Sequence, residues 1–201
     1  MAIEASTPVV VNESYSEIIR SRTGKKSSLF ILDASALINS RQINFYQRLG
    51  TLTTVPSIVA ELKDSLSMMR LTALLESGVI TVRSPCDNTI NIIRETALTV
   101  GSLDALSFPD IEVLALALEL KKQYACIISD DLEIQNLASF LGLRFRSSPH
   151  GKMIHRQIRW NFKCDICGST TSSQIKVCPH CGGPIKKHVQ RYKSLKRSNK
   201  I

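Results

Sequence analysis

Leu29-Phe30-Ile31-Leu32-Asp33 is the stretch on which the reading of this chain turns. Four apolar residues without a polar interruption describe a short strand buried on both faces. A carboxylate stands at its end. The same construction recurs at Ala125-Cys126-Ile127-Ile128, which runs into Ser129-Asp130-Asp131. In a sheet covered by helices, ligand sites form beyond the carboxyl ends of the strands. Both sets of acids are therefore expected at one such edge.

Working outward, residues 53–56 carry a second short strand signal. Pro56-Ser57 opens a helix expected to run to about Leu75, with Ile58, Leu62, Leu66 and Met69 on its buried face. Gly78 ends it, residues 79–83 are the next strand, and a helix covers 88–100. Ser107-Phe108-Pro109-Asp110 combines an N-cap serine, a first-turn proline and a capping-box acid. The helix it starts reaches about Lys122, with Val113, Leu114, Ala117, Leu118 and Leu120 marking its buried side. A strand at 125–128, a helix at 131–141 and a strand at 143–146 follow. Strands alternating with helices predict an α/β fold built on a parallel sheet. Ahead of it lies an N-terminal extension, residues 1–28, with an apolar patch at 8–11 and a helical pattern at 13–20.

The 201 residues suffice for one real core and a small second module. Charge divides them. Residues 1–143 hold 12 Lys+Arg against 16 Asp+Glu, whereas residues 144–201 hold 14 against one. An acidic domain joined to a basic module suggests a polyanionic partner. The start of the chain lacks a basic region before an apolar one, and no apolar run approaches the length of a membrane span. A reducing, cytoplasmic setting without a membrane partner is expected.

The acids Asp33, Glu61, Asp104, Asp110, Asp130 and Asp131 sit where hydrophobic segments begin or end. Each alone can be a turn or helix-capping residue. Gathered at one edge they repel and need a cation, and hard oxygen donors select Mg²⁺ or Mn²⁺. Such a metal commonly acts on phosphate esters. No Gly-rich phosphate loop ending in Lys-Ser/Thr and no Gly-x-Ser-x-Gly elbow is present. His150 and His155 lie outside the acidic set, with no carboxylate nearby in sequence to orient them.

Cys164-x-x-Cys167 and Cys178-x-x-Cys181 are two metal-type pairs ten residues apart. Four thiolates complete a tetrahedron around one zinc, leave no open position, and make the ion structural. Gly168 and Gly182 allow the tight turns that such pairs need. Two pairs at this spacing disfavour a thioredoxin-like redox site, and His180, between the second pair, is not expected to be a ligand. Cys126 reads as a small buried hydrophobe. Residues 147–160 read as a basic linker, 161–185 as the Cys₄ module, and 186–201 as a basic tail. Arg156, Arg159, Trp160, Lys163, Lys176, Lys186, Lys187 and Arg191 are candidate nucleic-acid contacts. Trp160 has two readings, stacking on a base or packing on the small module.

The order of the acidic segments resembles the PIN-domain nucleases. Leu32-Asp33-Ala34-Ser35, Val55-Pro56-Ser57 through Glu61, Ser107 through Ala117, and Ser129-Asp130-Asp131 carry the likeness, over about residues 29–146. It implies one or two divalent metals held by Asp33, Glu61, Asp110 and Asp131, with Asp130 sharing the closing role and Asp104 auxiliary. An activated water would then attack the scissile phosphorus. Ser35 and Ser129 would orient carboxylates or cap turns. With the ribbon appended, the chain is similar to the Nin-one-binding (Nob) endoribonucleases. The segments 106–117 and Ser129-Asp130-Asp131-x-x-Ile134-Gln135-Asn136, and Trp160 followed by the Cys₄ ribbon, carry that second likeness. It implies cleavage of precursor small-subunit rRNA at its mature 3′ end, on the pre-ribosomal small subunit, in an archaeal-type layout. A non-catalytic RNA-binding assembly factor and a PIN nuclease acting on another RNA are the competing expectations.

Overall fold

Residues 29–32 lie in β1 (Ser28–Leu32), the middle strand of a five-stranded parallel sheet. The structure, a computed structural model, describes residues 28–195 apart from 39–42, 45–46, 49, 63–64, 149–150 and 172–174. The N-terminal patch and helical pattern, His150 and the end of the basic tail lie outside the described residues. β2 (Gly50–Thr54), β3 (Ile80–Val82), β4 (Cys126–Ile128) and β5 (Arg144–Arg146) complete the sheet in the order β3-β2-β1-β4-β5. Every pairing is parallel. The chain builds outward from β1 to β3, then returns to the other side of β1 for β4. Strand order therefore reverses between β1 and β4, the position past whose carboxyl ends ligand sites form in such sheets. Asp33 lies there, its N–H donating to the Ile128 carbonyl at 3.1 Å.

The helices are α1 (Ala34–Ile38), α2 (Pro56–Glu61), α3 (Ser65–Glu76), α4 (Asp87–Val100), α5 (Phe108–Glu119) and α6 (Leu132–Phe140). α5 packs on β1 and β4 and against α2, α4 and α6. All residues from Ile111 to Ala117 are buried, not only the side expected from helical spacing. A helix enclosed by the sheet and other helices has no face to spare for water.

The helix expected over 56–75 is two helices. Leu62 is extended (φ −72°, ψ 104°) and resets the helical phase. Ile58 and Leu62 are buried as expected, but Leu66 and Met69 are 63% and 69% exposed, and Leu71 is buried instead. One stripe drawn through both helices does not survive the break.

The C-terminal unit is an antiparallel sheet of β6 (Arg156–Cys164), β7 (Thr170–Thr171) and β8 (Ile185–Ser194), in the order β7-β6-β8. Two expectations change here. Residues 156–160 are strand rather than linker, and residues 186–194 are strand rather than tail. The arms pair from Arg156↔Ser194 to Cys164↔Ile185, with one irregularity between Arg159 and Trp160. β6 alternates apolar Ile158, Trp160 and Phe162 with polar Gln157, Arg159, Asn161 and Lys163, the period of a strand, whereas β8 carries no such alternation and is ordered by its backbone pairing with β6.

Leu114→Ala is expected to cost about 2–5 kcal/mol in chemical denaturation of the full chain, because the site is closed on all sides. Met69→Ser is expected to stay within about 0.5 kcal/mol. Similar losses for both would contradict the split between α2 and α3.

Candidate active site and metal centre

Asp33 is buried at the end of β1. Its Oδ1 accepts the Ala34 N–H at 2.7 Å, and its Oδ2 accepts the hydroxyls of Ser35 and Ser129 at 3.1 and 2.8 Å. Each serine also reaches the turn after β4. Ser129 Oγ accepts the Asp131 N–H at 3.0 Å, and Ser35 Oγ accepts the Asp130 N–H at 3.3 Å. The two hydroxyls thus tie the end of β1 to the end of β4 and orient the Asp33 carboxylate between them.

Asp131 caps α6: its Oδ1 accepts the N–H groups of Glu133 and Ile134 at 2.6 and 3.2 Å. Asp110 forms a reciprocal capping box with Ser107 at the start of α5. Its Oδ2 accepts the Ser107 N–H at 2.7 Å. Capping therefore consumes one oxygen of each acid. Burial raises the Asp110 carboxyl above its ordinary value, the Ser107 bonds oppose this, and the charges of Asp33 and Asp131 raise it further. Three acids from the ends of β1 and β4 and the start of α5 share one field.

Among the described residues no Lys or Arg forms an ion pair with any of the three. Among the described residues no hydrogen bond reaches Oδ1 of Asp110 or Oδ2 of Asp131. Oxygen-only donors, mutual repulsion and unused lone pairs fit a hard divalent cation. Asp33, Asp110 and Asp131 are the residues that would hold it.

The other acids are placed differently. Asp130, expected to share the closing role with Asp131, bonds Ser148. Its Oδ1 accepts the Ser148 N–H and its Oδ2 the Ser148 hydroxyl, both at 2.7 Å. Glu61 is exposed at the end of α2, and Asp104 is exposed in a 3₁₀ turn (Leu103–Ala105). No hydrogen bond or ion pair among the described residues joins either to the trio. Sequence reading missed Glu112, a buried acid whose Oε2 accepts the Ser57 N–H at 3.4 Å at the start of α2. A lone acid inside the apolar run of α5 was the available signal.

In the C-terminal unit the four cysteine sulfurs lie within 4.8 Å of one another. Cys164 Sγ is 3.5 Å from Cys181 Sγ, and Cys167 Sγ is 3.6 Å from Cys178 Sγ. Sulfurs at about 2.3 Å from a tetrahedral ion stand about 3.8 Å apart, so the cluster fits a zinc-type metal. Gly168 and Gly182 take positive φ (72° and 70°), the left-handed backbone these turns require. The Ser169 hydroxyl lies 3.1 Å from Cys178 Sγ and brings that thiol down to about 6, which favours the ligating thiolate. His180 is outside the cluster. Cys126 is buried in β4, where burial pushes its thiol up to about 11 and leaves it an inert core residue.

Several candidate RNA contacts already have partners. Lys187 pairs with Glu133 at 3.6 Å and covers the Trp160 ring at 4.4 Å. Lys186 bonds Asp165, and Arg159 lies over the Phe140 ring at 5.7 Å. Trp160 is half-buried, with its backbone against Gly101 of the nuclease domain and the Lys187 ammonium over its ring. Arg156, Lys163 and Lys176 are exposed. The backbone of Arg191 is part of β8, and its side chain lies outside the described residues.

The family profile described as "PIN domain of ribonuclease" matches residues 30–120. Endoribonuclease Nob1 of Pyrococcus abyssi is 36% identical over 166 residues, 82% of this chain and 96% of that protein. The chain belongs to the Nob1 endoribonuclease family. Ribonuclease VapC1 of Thermoplasma acidophilum is 37% identical over 169 residues, 84% of this chain and 82% of that protein. The 20S-pre-rRNA D-site endonuclease NOB1 of Saccharomyces cerevisiae is 29% identical over 91 residues, 45% of this chain and 20% of that protein. As a Nob1 relative the chain is a PIN-domain ribonuclease, an enzyme class that depends on a divalent metal.

Asp110→Asn keeps an oxygen for the Ser107 N–H and removes the charge that burial, Asp33 and Asp131 disfavour. Cleavage is expected to fall by about 100-fold or more. The metal-free variant should melt slightly above wild type at neutral pH, where wild-type Asp110 is ionised at a cost. That advantage should fade as the pH drops below the raised carboxyl value, since wild-type Asp110 is then neutral as well. Thermal melts across pH, in chelator, check the sign.

Proposed function

We propose that this protein cuts precursor small-subunit rRNA to generate its mature 3′ end, acting on the pre-ribosomal small subunit. The observation that carries the reading is the gathering of Asp33, Asp110 and Asp131 where strand order reverses, with no Lys or Arg ion pair to them among the described residues. The printed name of the yeast relative, a pre-rRNA D-site endonuclease, supports the substrate. Mg²⁺ or Mn²⁺, one ion or two, is the proposed catalytic metal, and one zinc the structural ion of the cysteine cluster. Glu61 joins the metal ligands on the family resemblance rather than on contact. When bound, the divalent ion supplies positive charge that activates water and offsets charge developing on the phosphate.

The protein's own groups have separate duties. Asp33, Asp110 and Asp131 present oxygens toward the ion. Ser35 and Ser129 hold the Asp33 carboxylate in one orientation through their hydroxyls. The basic strands β6 and β8, with Lys176, dock RNA through phosphate contacts, which set position rather than sequence. We place this activity in the cytoplasm, a reducing compartment that keeps four ligating thiols available.

Pure full-length protein should make one discrete cut in an RNA spanning the precursor's 3′ boundary with Mn²⁺, and none with EDTA. Asp33→Asn should lower the rate by about 100-fold or more while retaining RNA affinity. Binding without any wild-type cut, on naked RNA and on precursor subunits alike, would make the protein an assembly factor instead. Metal analysis should find about one zinc per chain, lost in Cys178→Ser together with most RNA affinity.

A further inference from the structure

Leu132 and Met153 are large apolar side chains left 45% and 42% exposed. The first opens α6, and the second lies in the junction between β5 and β6. With Gly151, Lys152, Ile154 and His155 they line an open groove of about 540 Å³. That volume falls within the range of small-ligand sites, about 300–1,000 Å³. Three apolar side chains, a lysine and a histidine thus share one lining. Lys152 and His155 are exposed, and among the described residues neither forms an ion pair.

The junction wall of the groove is held by its backbone. Gln135, fully buried in α6, donates through Nε2 to the Lys152 carbonyl and accepts the Ile154 N–H at Oε1, each at 2.9 Å. These two bonds bracket Met153. Upstream, the Gly151 N–H donates to the Ser148 carbonyl at 3.0 Å, and Asp130 holds Ser148 through both oxygens. Downstream, the His155 carbonyl accepts the Leu195 N–H at 3.0 Å. A satisfied buried network of this kind rigidifies what it joins. Met153 therefore stands on a fixed bracket. Both walls also meet the turn that follows β4. Leu132 follows Asp131, the acid that caps α6, and a Cβ on Gly151 would collide with Asp130 Oδ1. The groove adjoins the acid cluster.

We propose that this groove is the subsite for the nucleoside next to the scissile phosphate, with its base against Leu132 and Met153 and its far phosphate on Lys152 and His155. The inference rests on the proposed function, which puts an RNA phosphodiester at Asp33, Asp110 and Asp131. Nucleotides are joined, so a phosphate at the acids brings the adjoining nucleoside to the neighbouring surface. A base has apolar faces for Leu132 and Met153 to cover, and the flexible thioether of Met153 adapts to any ring. Contact with the face of a base does not read its edge, so the subsite takes any base. The donors of Lys152 and His155 suit the next phosphate, which sets position rather than sequence. An apolar peptide would leave both donors unanswered, whereas a nucleotide engages both kinds of lining.

The test uses the full chain and RNA oligonucleotides spanning the cut, one intact and the others each lacking one base. Without added Mg²⁺ or Mn²⁺ the RNA binds uncut. The ¹³C-methyl resonance of Met153, assigned by its loss in Met153→Leu, should then move upfield with intact RNA, through the ring current of the base. An oligonucleotide lacking the base at one position beside the cut should bind without moving it. With Mn²⁺, Met153→Ala should lower kcat/KM by about tenfold on intact RNA and by less than about twofold on that base-less RNA. Met153→Leu should restore most of the loss. A Met153 methyl unmoved by bound RNA, or equal losses on the two RNAs, would overturn the subsite and leave the groove to a protein partner. The methyl shift is read on wild type, so it stands whether or not Met153→Ala folds. A shift without any cut would sink the nuclease reading and keep the groove as an RNA site; a cut with the methyl unmoved would do the reverse.

Discussion

Like-charged carboxylates repel, and the fold brings Asp33, Asp110 and Asp131 close enough for two of them to raise the carboxyl of the third. Such an arrangement persists only if rigid structure over-determines it. Asp33 is fixed by an amide and two hydroxyls, Asp110 by its capping box, and Asp131 by the amides that open α6. The same bonds that satisfy helix ends and a strand end therefore aim the acids. Capping and metal binding are not rival explanations here: one oxygen of Asp110 and one of Asp131 do the first and leave the other for the second.

α6 concentrates several duties in nine residues. Its cap belongs to the acid cluster, Glu133 meets Lys187 of the ribbon, and Gln135 and Asn136 bond the junction and β6. Few residues of the ribbon are buried, and its metal cluster sits at the far end of the β6–β8 arms from the start of β6. A unit this small has little core of its own. The four gathered thiols mark its tip, and the buried amides of α6 hold its base.

The sequence exposed the PIN-like core because its signals are local. Uninterrupted apolar runs ending in Asp33 and in Ser129-Asp130-Asp131, and the Ser107–Asp110 start, act over a few residues. The two cysteine pairs are equally local, and the four sulfurs do meet. The single helix drawn over 56–75 failed because the chain leaves the helix at the extended Leu62 and a second helix starts at Ser65 with its own phase. The linker reading changed over 156–160 and the tail reading over 186–194, where β6 and β8 pair with each other across a long stretch of intervening chain.

By itself the sequence determined which residues can bear the chemistry: acids at the ends of buried segments, serines beside them, and four thiols in two turns. Chain-local patterning is enough for that, since burial and capping leave their mark on neighbouring positions. Only the tertiary structure decided how those residues divide the work. It united Asp33 with Ser129 across 96 positions, set Asp130 apart on Ser148, and turned Gln135 and Asn136 from helix residues into the seam between two units. Those outcomes depend on which strands become neighbours and which side of a turn each side chain takes, and neither is written in any short stretch of chain.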